Sequence, residues 1–466
     1  MLLALASALA IVAQDHTPLR AAPRAQAIEL TQLLQGEVLE VRDERAGYLR
    51  VYDYHHERGG YVKSELVRTV EVTEADAPGL LAVLRFLRDG RGTEALGISY
   101  GAAYLKAAPA SALTAEPFNT IAGMAERLAD RASLPAGRHA EAMAHLAVVE
   151  QFGIRTRSFE RNGRIQVCYD GELFHRVLAL PRVSAEERAH AVLGLTRPEC
   201  MDPALGVALR AAQDLDKVVL LDALDERALT AMTRSRIHAR RAALWSAVAY
   251  EEARGGRSAA AAAQRAMAEL RAVHPGDLGD ERRGEYLDAL LRVGAIRWGA
   301  VPVRAQPGPL IVTTAPGAPG QTCVTLADAQ RPGAALLRRC TYGIVWTASA
   351  QAIAQGRALV LAVQPLETWR ELWVLRAGEA GWTVDVLAPG VEEPDEGYVE
   401  FAGFAPRSER LLIAREVREH GRFRRRFEEL RLADLLPVKQ ASSPELLADF
   451  GRWQDVTWRR DTLALH

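Results

Sequence analysis

The sequence predicts a multidomain α+β protein with a small N-terminal β-barrel, an α-helical middle domain and a C-terminal all-β domain. Three observations lead to this prediction. The chain has 466 residues, more than one ordinary domain needs. Its apolar residues recur with a period of two near both ends and with a helical period between them. A stretch rich in proline, glycine, alanine and threonine, residues 301–322, reads as a linker before the second β-rich part.

The bulk composition indicates a folded protein and argues against a nucleic-acid partner and against an integral membrane span. The chain is 49% hydrophobic and 25% charged, which is typical of globular domains. Its 58 basic and 59 acidic residues nearly cancel, so no overall field attracts a polyanion, and we expect no nucleic acid as a partner. Beyond the N-terminus, no apolar run approaches the length of about 18 residues that predicts an integral membrane span.

The first 14 residues are mostly apolar or small and carry no charge. Residues 1–14 therefore resemble the apolar core of a secretion signal, with Ala13 as a small residue for cleavage, although the usual positive segment is missing. The alternative is an apolar N-terminal strand or helix that packs on the first domain. We expect export, and hence a periplasmic or otherwise extracytoplasmic location.

Four cysteines fall into two local pairs, Cys168 with Cys200 and Cys323 with Cys340. Four cysteines allow three connectivities, and the grouping favours the two local disulfides. The alternative is four buried free thiols. Because no cysteine stands in a CxxC motif or at ligand spacing from a histidine, the sequence predicts no metal site, and it predicts no cofactor.

Residues 15–70 predict five short strands. The segments 36–41, 47–52 and 59–62 alternate or carry β-forming residues, and glycines between them permit tight turns. Short strands over a segment of this length form a small barrel.

The motifs of this segment follow a recognisable order. They are Pro18-Leu19-Arg20, Gly36-Glu37-Val38, Gly47-Tyr48-Leu49-Arg50-Val51 and Gly60-Tyr61-Val62. This order resembles that of a bacterial SH3 (SH3b-like) domain, and the whole chain resembles uncharacterised bacterial SH3 domain-containing proteins. The chain departs from the family at residues 20–23, where Arg-Ala-Ala-Pro replaces Arg-x-Gly-Pro. The resemblance implies an SH3-like β-barrel that contacts a peptide, a peptidoglycan-like ligand or an envelope protein.

Four tyrosines of the predicted barrel are the candidate binding residues: Tyr48, Tyr52, Tyr54 and Tyr61. Aromatic side chains suit the faces of peptides and sugars. Packing inside the barrel explains the same residues equally well, and both interpretations stay open at this point.

Residues 73–300 predict an α-helical domain made of helical hairpins with one β-hairpin. Ser184 and Glu187 form a capping box, and Asn162-Gly163 is a strong hairpin turn signal. Apolar helical segments on either side of Gly255-Gly256 predict an antiparallel helix pair over residues 238–300. One such pair is similar to a tetratricopeptide-type hairpin, and we interpret it as generic helix packing.

Residues 323–466 predict a β-rich domain with propeller-like or sandwich strands. Two stretches, residues 345–386 and 399–440, each show four strand-like segments in the same order, as the blades of a propeller do. Two such units do not close a propeller, so a partial propeller and a sandwich both stay open. Residues 453–465 offer a possible closing strand.

We recognise no catalytic motif in the sequence. It contains no Gly-x-Ser-x-Gly, His-Glu-x-x-His, Walker-type or dinucleotide-binding motif, and Cys168 with His175 lacks the rest of a cysteine-peptidase signature. We therefore expect a non-enzymatic, exported cell-envelope binding or scaffold protein. One alternative is a cell-wall hydrolase or peptidase with an unrecognised site. The other is a cytoplasmic helical scaffold.

Overall fold

The chain is mixed α+β, with an N-terminal antiparallel sheet, a helical middle and a C-terminal sheet, as the sequence predicts. It divides into two compact units, Met1–Ala204 with Leu224–Leu229, and Leu205–Ala223 with Thr230–His466. Within the described part of the chain, no helix is both long and apolar enough to cross a membrane. The computed structural model describes residues 8–134, 139–161, 163–303, 308–390, 396–419 and 422–461.

The N-terminal sheet has seven antiparallel strands. They are β1 (Leu9–Val12), β2 (Thr17–Arg20), β3 (Glu29–Leu33), β4 (Val38–Arg45), β5 (Tyr48–Asp53), β6 (Arg58–Lys63) and β7 (Val67–Val70). Their order is β3-β2-β6-β5-β4-β1-β7, which leaves β3 and β7 as edges. The sequence predicts five strands in a closed barrel; among the described residues the sheet has two more strands and does not close.

Strand β1 comes from the segment predicted as a signal. It lies between β4 and β7, paired with both. Ala10 and Val12 belong to the core of the sheet, whereas Ile11 packs among the helices that follow. Residues 9–12 thus form an apolar strand, which is the alternative to a secretion signal. Both faces of this strand are buried. Residues 1–7 lie outside the described residues.

Six helices and one hairpin complete the first unit. They are α1 (Ala77–Leu87), α2 (Glu94–Ala107), α3 (Ala115–Ala132), α4 (Ala140–Glu150), β8 (Thr156–Arg161), β9 (Arg164–Tyr169), α5 (Glu172–Ala179) and α6 (Ala185–Leu195). The predicted β-hairpin is confirmed by the pairing of β8 with β9, although Asn162 of its turn lies outside the described residues. The predicted capping box of Ser184 and Glu187 begins α6.

The N-terminal sheet rests on α2 through a glycine. Gly36 has φ +91°, and a Cβ atom there would lie 2.8 Å from the Ala95 backbone. The Ser99 hydroxyl donates a buried hydrogen bond to the Gly36 carbonyl. Only glycine combines this backbone conformation with so close an approach.

The second unit begins with four helices, α7 (Val207–Asp222), α8 (Ala231–Arg254), α9 (Ala260–Arg271) and α10 (Gly279–Ile296). Helices α8 and α9 form the predicted hairpin, with alanines such as Ala242 and Ala266 fully buried. The division between the units therefore falls inside residues 73–300, predicted as one helical domain. The reason is that Ala263 and Ile296 share a core with Trp346 of the C-terminal strands.

The strands of the second unit form two sheets. They are β10 (Leu310–Pro316), β11 (Thr322–Asp328), β12 (Arg331–Thr341), β13 (Ile344–Ile353), β14 (Ala358–Leu366), β15 (Trp369–Gly378), β16 (Gly381–Leu387), β17 (Glu396–Ala405), β18 (Arg410–Glu419), β19 (Arg422–Arg431) and β20 (Pro437–Ala441). Strands β10 to β12 form a three-stranded sheet, and the remaining eight form the other. Part of the predicted linker, residues 301–322, is a strand rather than a linker. All seven residues of β10 pair with β11.

The two stretches that resemble propeller blades are two four-stranded antiparallel meanders. Strands β13 to β16 form the first and β17 to β20 the second. A short parallel pairing of Trp369 and Arg370 with Gly397 and Tyr398 joins them into one sheet. All eight predicted strands are present at the predicted places.

Residues 448–461 contain two helices, whereas a closing strand is predicted for residues 453–465. These are α11 (Ala448–Trp453) and α12 (Val456–Asp461). Phe450 and Trp458 from these helices pack edge-to-face on each other and on Phe427 of β19. This aromatic contact buries Trp458, an apolar residue of the predicted strand. Residues 462–466 lie outside the described residues.

Candidate functional site

Strand alternation places the candidate tyrosines on the outer face of the N-terminal sheet. Leu49, Val51 and Val62 point into the core. Tyr48 and Tyr52 alternate with them on β5, and therefore face outward. Tyr61 on β6 faces the same way, because it pairs directly with Arg50, whose side chain is exposed. The three strand tyrosines are half-buried, as expected for rings lying on a sheet surface.

Tyr54 extends this face just beyond the end of β5. Its ring meets that of Tyr52 edge-on with the centroids 4.9 Å apart, and its side chain is 65% exposed. The Tyr54 hydroxyl donates to Glu40 Oε2 over 3.1 Å. Arg42 lies over the Tyr52 ring at 4.3 Å and donates to the same oxygen, which lowers the pKa of Glu40. The tyrosines are thus held by neighbours in a fixed orientation.

Cationic side chains flank the rings in rows across the sheet. Tyr48 pairs with Arg45 on one side and with Lys63 on the other. Tyr61 stands between Arg50 and Arg20 in the same way. An aromatic platform bordered by basic groups suits a ligand that offers planar faces and carboxylates. We name the four tyrosines with Arg20, Arg42, Arg45, Arg50 and Lys63 the tyrosine face.

The two predicted disulfides are present. Cys168 on β9 is bonded to Cys200, and Cys323 on β11 is bonded to Cys340 directly opposite on β12. The structure therefore confirms the two local pairs and excludes the alternative of four free thiols. Disulfides persist in oxidising compartments, so they are consistent with an extracytoplasmic location.

A cluster of ionisable groups that the sequence analysis missed lies at one end of the N-terminal sheet. Glu37, Asp53 and His56 bring ligand-type atoms within 4.8 Å of one another. Burial, reinforced by the charge of Asp53, raises the pKa of Glu37 to about 7. The sequence contained a signal for this cluster. Glu37 lies two residues before the inward-facing Leu39, and Asp53 lies two residues after the inward-facing Val51, so strand alternation directs both carboxylates inward.

A second cluster joins the N-terminal sheet to α4. His145, 1% exposed, contacts Asp15 through Nε2 at 2.8 Å, and Glu141 lies one helical turn away. Burial alone raises the pKa of Asp15, but the contact with His145 and the Gln35 backbone N–H lowers it overall. This cluster connects sequence-distant parts of the first unit.

In the second unit, a row of charged groups is buried where α10 covers the sheet. Glu400 on β17 is paired with both Arg297 and Arg370, and none of the three side chains is more than 3% exposed. Next along β17, the Tyr398 hydroxyl bonds to Glu416 Oε2 over 2.9 Å. Such a network fixes the position of the helix on the sheet.

The row continues to the buried carboxyl group of Glu396 and the more accessible carboxyl group of Asp288. Glu396 contacts Arg292 and Arg418, and Asp288 on α10 lies 3.2 Å from the same Arg418. Burial and the nearby Glu396 raise the pKa of Asp288 to about 8. Its side chain is still 37% exposed, so this carboxyl group also contacts solvent. Raised carboxyl pKa values are frequent at functional sites and also occur in structural networks.

Comparison with known proteins adds no family to these observations. No protein-family model, no curated protein and no solved structure matches the chain.

Proposed function

We propose that this chain is a non-enzymatic, extracytoplasmic binding protein whose tyrosine face binds an acidic cell-wall glycopeptide of the peptidoglycan type. The observation that carries the proposal is the common outward orientation of Tyr48, Tyr52 and Tyr61, which the strand register imposes. Tyr54 extends the same surface into solvent. Core packing does not need these rings, because Leu49, Val51 and Val62 already fill the inside of the sheet.

The chemistry of the tyrosine face supports this ligand. Aromatic rings stack on sugar faces and on extended peptides at low cost in side-chain entropy. Arg50 is exposed beside Tyr61 and offers charge-assisted hydrogen bonds to carboxylates; Lys63 is exposed beside Tyr48 and is paired with Glu65. A wall glycopeptide presents both features along one chain, whereas a neutral polysaccharide presents only the first.

The disulfides support the compartment. Cys168–Cys200 and Cys323–Cys340 are both formed, and stable disulfides are rare in a reducing cytosol. They favour the extracytoplasmic binding protein over the cytoplasmic helical scaffold that the sequence left open.

Sedimentation with purified peptidoglycan tests the proposal. The full-length protein is expected to pellet with sacculi, and Tyr52→Ala with Tyr54→Ala is expected to weaken this about tenfold or more, since each stacked ring is worth about 1 kcal/mol or more. Arg50→Glu should weaken binding and make it more sensitive to salt.

A matched control distinguishes binding at the tyrosine face from nonspecific adsorption. Phe86 on α1 is 87% exposed and lies outside the face, so Phe86→Ala should leave binding unchanged. Wild-type protein that stays in the supernatant, or equal losses for Phe86→Ala and the tyrosine double variant, would refute the proposal. Capture of one envelope protein with no affinity for sacculi would replace the glycopeptide with a protein partner.

The second candidate is a wall hydrolase, and one observation favours it. Asp288 has a pKa raised to about 8 and retains solvent access beside Glu396 and Arg418, an arrangement that suits a general acid. This candidate predicts release of soluble fragments from sacculi by the wild-type protein and no release by Asp288→Asn. Absence of turnover across pH 5–9 would leave the binding protein as the better account.

A further inference from the structure

Three potential metal ligands converge at the end of the N-terminal sheet where β4 begins and β5 ends. Glu37 immediately precedes β4, Asp53 is the last residue of β5, and His56 lies in the turn that leads to β6. Their nearest ligand atoms are mutually within 4.8 Å. Carboxylates spaced in this way repel each other unless a cation or a proton lies between them.

Glu37 gives an independent indication of a ligand. Its side chain is buried, with 8% of the residue exposed, and Oε2 has no hydrogen-bond partner among the described residues. Buried polar atoms nearly always have a partner, and an unpaired buried carboxylate oxygen is costly. A carboxylate oxygen of Glu37 is one of the three ligand atoms that lie within 4.8 Å of one another, so the unpaired oxygen belongs to a group that faces the cluster.

We propose that Glu37, Asp53 and His56 bind a divalent transition-metal cation, with Zn²⁺ the ion that the donors suit best. One imidazole nitrogen with two carboxylates is a zinc-type donor set, whereas Ca²⁺ and Mg²⁺ prefer oxygen donors alone. Zinc ligands lie about 2.0–2.2 Å from the ion, so donors around it are about 3–4 Å apart. Asp53 Oδ2 and His56 Nδ1 are 2.7 Å apart in a direct hydrogen bond, which an ion bound between them would replace at a slightly longer separation.

The local backbone orients the Asp53 ligand. Asp53 Oδ1 accepts hydrogen bonds from the backbone N–H groups of His55 and His56 over 3.0 and 3.2 Å. This leaves Oδ2 directed at His56, whose side chain is 39% exposed. The cluster is therefore open to solvent on the His56 side and closed on the Glu37 side. An ion can enter, and a fourth coordination position stays free for water or for a ligand carboxylate.

Arg58 is the group that competes with the cation. Its Nε lies 3.7 Å from Asp53 Oδ2, and this nitrogen makes no hydrogen bond among the described residues. The guanidinium therefore forms an ion pair with the carboxylate that Nε does not reinforce with a hydrogen bond. Removing its charge is expected to strengthen cation binding.

The cluster of Asp15, Glu141 and His145 has similar donors but fits an ion less well. Glu141 is engaged by Arg131 at 2.7 Å, and Asp15 Oδ1 accepts from both His145 and the Gln35 backbone N–H. Both of its carboxylates thus have partners, whereas Glu37 Oε2 of the first cluster has none among the described residues. This second cluster serves as an internal comparison for the first.

Calorimetric titration of the untagged full-length protein with ZnCl₂ tests the site. We expect one zinc ion per chain, with binding weakened about tenfold or more by His56→Gln, Asp53→Asn or Glu37→Gln. Arg58→Gln should bind Zn²⁺ more tightly than the wild type. CaCl₂ and MgCl₂ should give no comparable binding. His56→Gln changes an exposed side chain, so it keeps the test valid if a substitution of buried Glu37 disturbs folding.

The controls are a neighbour and the other cluster. His55 is exposed beside His56 but outside the cluster, so His55→Gln should leave zinc binding unchanged. Glu141→Gln should also leave it unchanged. Absence of zinc binding, equal losses for His55→Gln and His56→Gln, or loss in Glu141→Gln alone would each overturn the proposal.

Discussion

The ring of Tyr398 on β17 packs directly against the backbone of Gly294 in α10. A Cβ atom at position 294 would lie 2.1 Å from Cε1 of that ring, and the ring is fully buried. Glycine at this position lets the helix lie close enough to the sheet for the charged groups of α10 to reach β17. The contact thus sets the geometry of the buried row between helix and sheet.

Gly294→Ala is therefore expected to destabilise the protein. The added methyl group must displace either Tyr398 or the helix, and such overpacking costs about 1–3 kcal/mol. Gly284 lies on the same helix, and a Cβ atom added there would have nothing within 4 Å, so Gly284→Ala should be neutral or slightly stabilising. Denaturant unfolding of the two variants measures this difference. Equal stability of the two would show that the packing has room to adjust.

The ion pairs of Glu400 give a second prediction. Arg297 Nη2 lies 2.7 Å from Glu400 Oε2, and Arg370 contacts the other oxygen of the same carboxylate. Burial by itself raises the pKa of Glu400, but the two arginines outweigh it and lower the pKa. Glu400→Gln leaves two buried cations facing a neutral amide, which should cost about 3–5 kcal/mol of unfolding free energy.

An exposed ion pair in the same unit provides the comparison for Glu400. Glu409 contacts Arg357 at the surface, with both side chains more than half exposed. Glu409→Gln should change the stability little, because solvent screens such pairs. Chemical denaturation of both variants at neutral pH checks the contrast. Similar losses would mean that burial does not strengthen the Glu400 contacts.

Asp214 on α7 predicts a specific pH dependence of stability. Burial raises the pKa of Asp214 from 3.8 to about 6; Lys217 opposes this, and the charge of Glu367 adds to it. Between pH 3.8 and about 6, the folded state therefore keeps a proton on Asp214 that the unfolded state has released. Stability from this group is complete below pH 3.8 and is lost as the pH rises through 6, by up to about 3 kcal/mol.

Asp214→Asn should remove that loss. The variant is expected to be more stable than the wild type at pH 8, and the difference should vanish toward pH 4. Asp216→Asn, an exposed position on the same helix, is the matched control and should follow the wild type. Unfolding free energies measured from pH 4 to 8 test this; parallel curves for wild type and Asp214→Asn would contradict it.

Local patterns predicted the elements better than their arrangement. Short apolar, strand-like segments repeating in the same order identified all eight strands of β13 to β20, because a strand signal lies within a few residues. They did not predict the parallel pairing of β15 with β17, which joins segments that are distant in the sequence. Nor did composition identify β10, since residues 310–316 contain a proline and threonines that suit an edge strand as well as a linker.

The site residues show the same limit. The tyrosines could be named from the sequence because they lie within one local pattern, but their shared face depends on the register between β5 and β6. Glu37, Asp53 and His56 come from separate segments and meet only where two strands end side by side. The two residues of the buried Arg297–Glu400 pair are 103 positions apart in the sequence, so no local motif predicts their contact.

The disulfides predict both a stability effect and a location. Their cysteines are 32 and 17 residues apart, so in the chain-entropy model each closed loop contributes about 3–4 kcal/mol. Replacing both cysteines of either pair by alanine should lower the unfolding free energy by this order. Non-reducing peptide mapping of protein from fractionated cells should find both bonds in the extracytoplasmic fraction. Four free thiols in cytosolic protein would contradict that location.

Strand β1 leads to the last prediction. Ile11 is fully buried and packs among the helices, while Ala10 and Val12 fill the core of the sheet on the opposite face. Ile11→Ala should cost about 2–5 kcal/mol, because it leaves a cavity between two packed layers. Ile28 is 76% exposed, so Ile28→Ala should have little effect. Equal effects would mean that β1 adds little to the stability of the first unit.

Deleting residues 1–12 should have a larger effect than either substitution. It removes the pairing partner of β7 and one neighbour of β4, so two rows of backbone hydrogen bonds are lost together. Cleavage after Ala13 would do the same. N-terminal sequencing of the protein purified from cells therefore tests the fold and the predicted cleavage at once. A chain that keeps Leu9 agrees with β1 as a structural strand, and a stable chain that begins near residue 14 would show that the sheet forms without it.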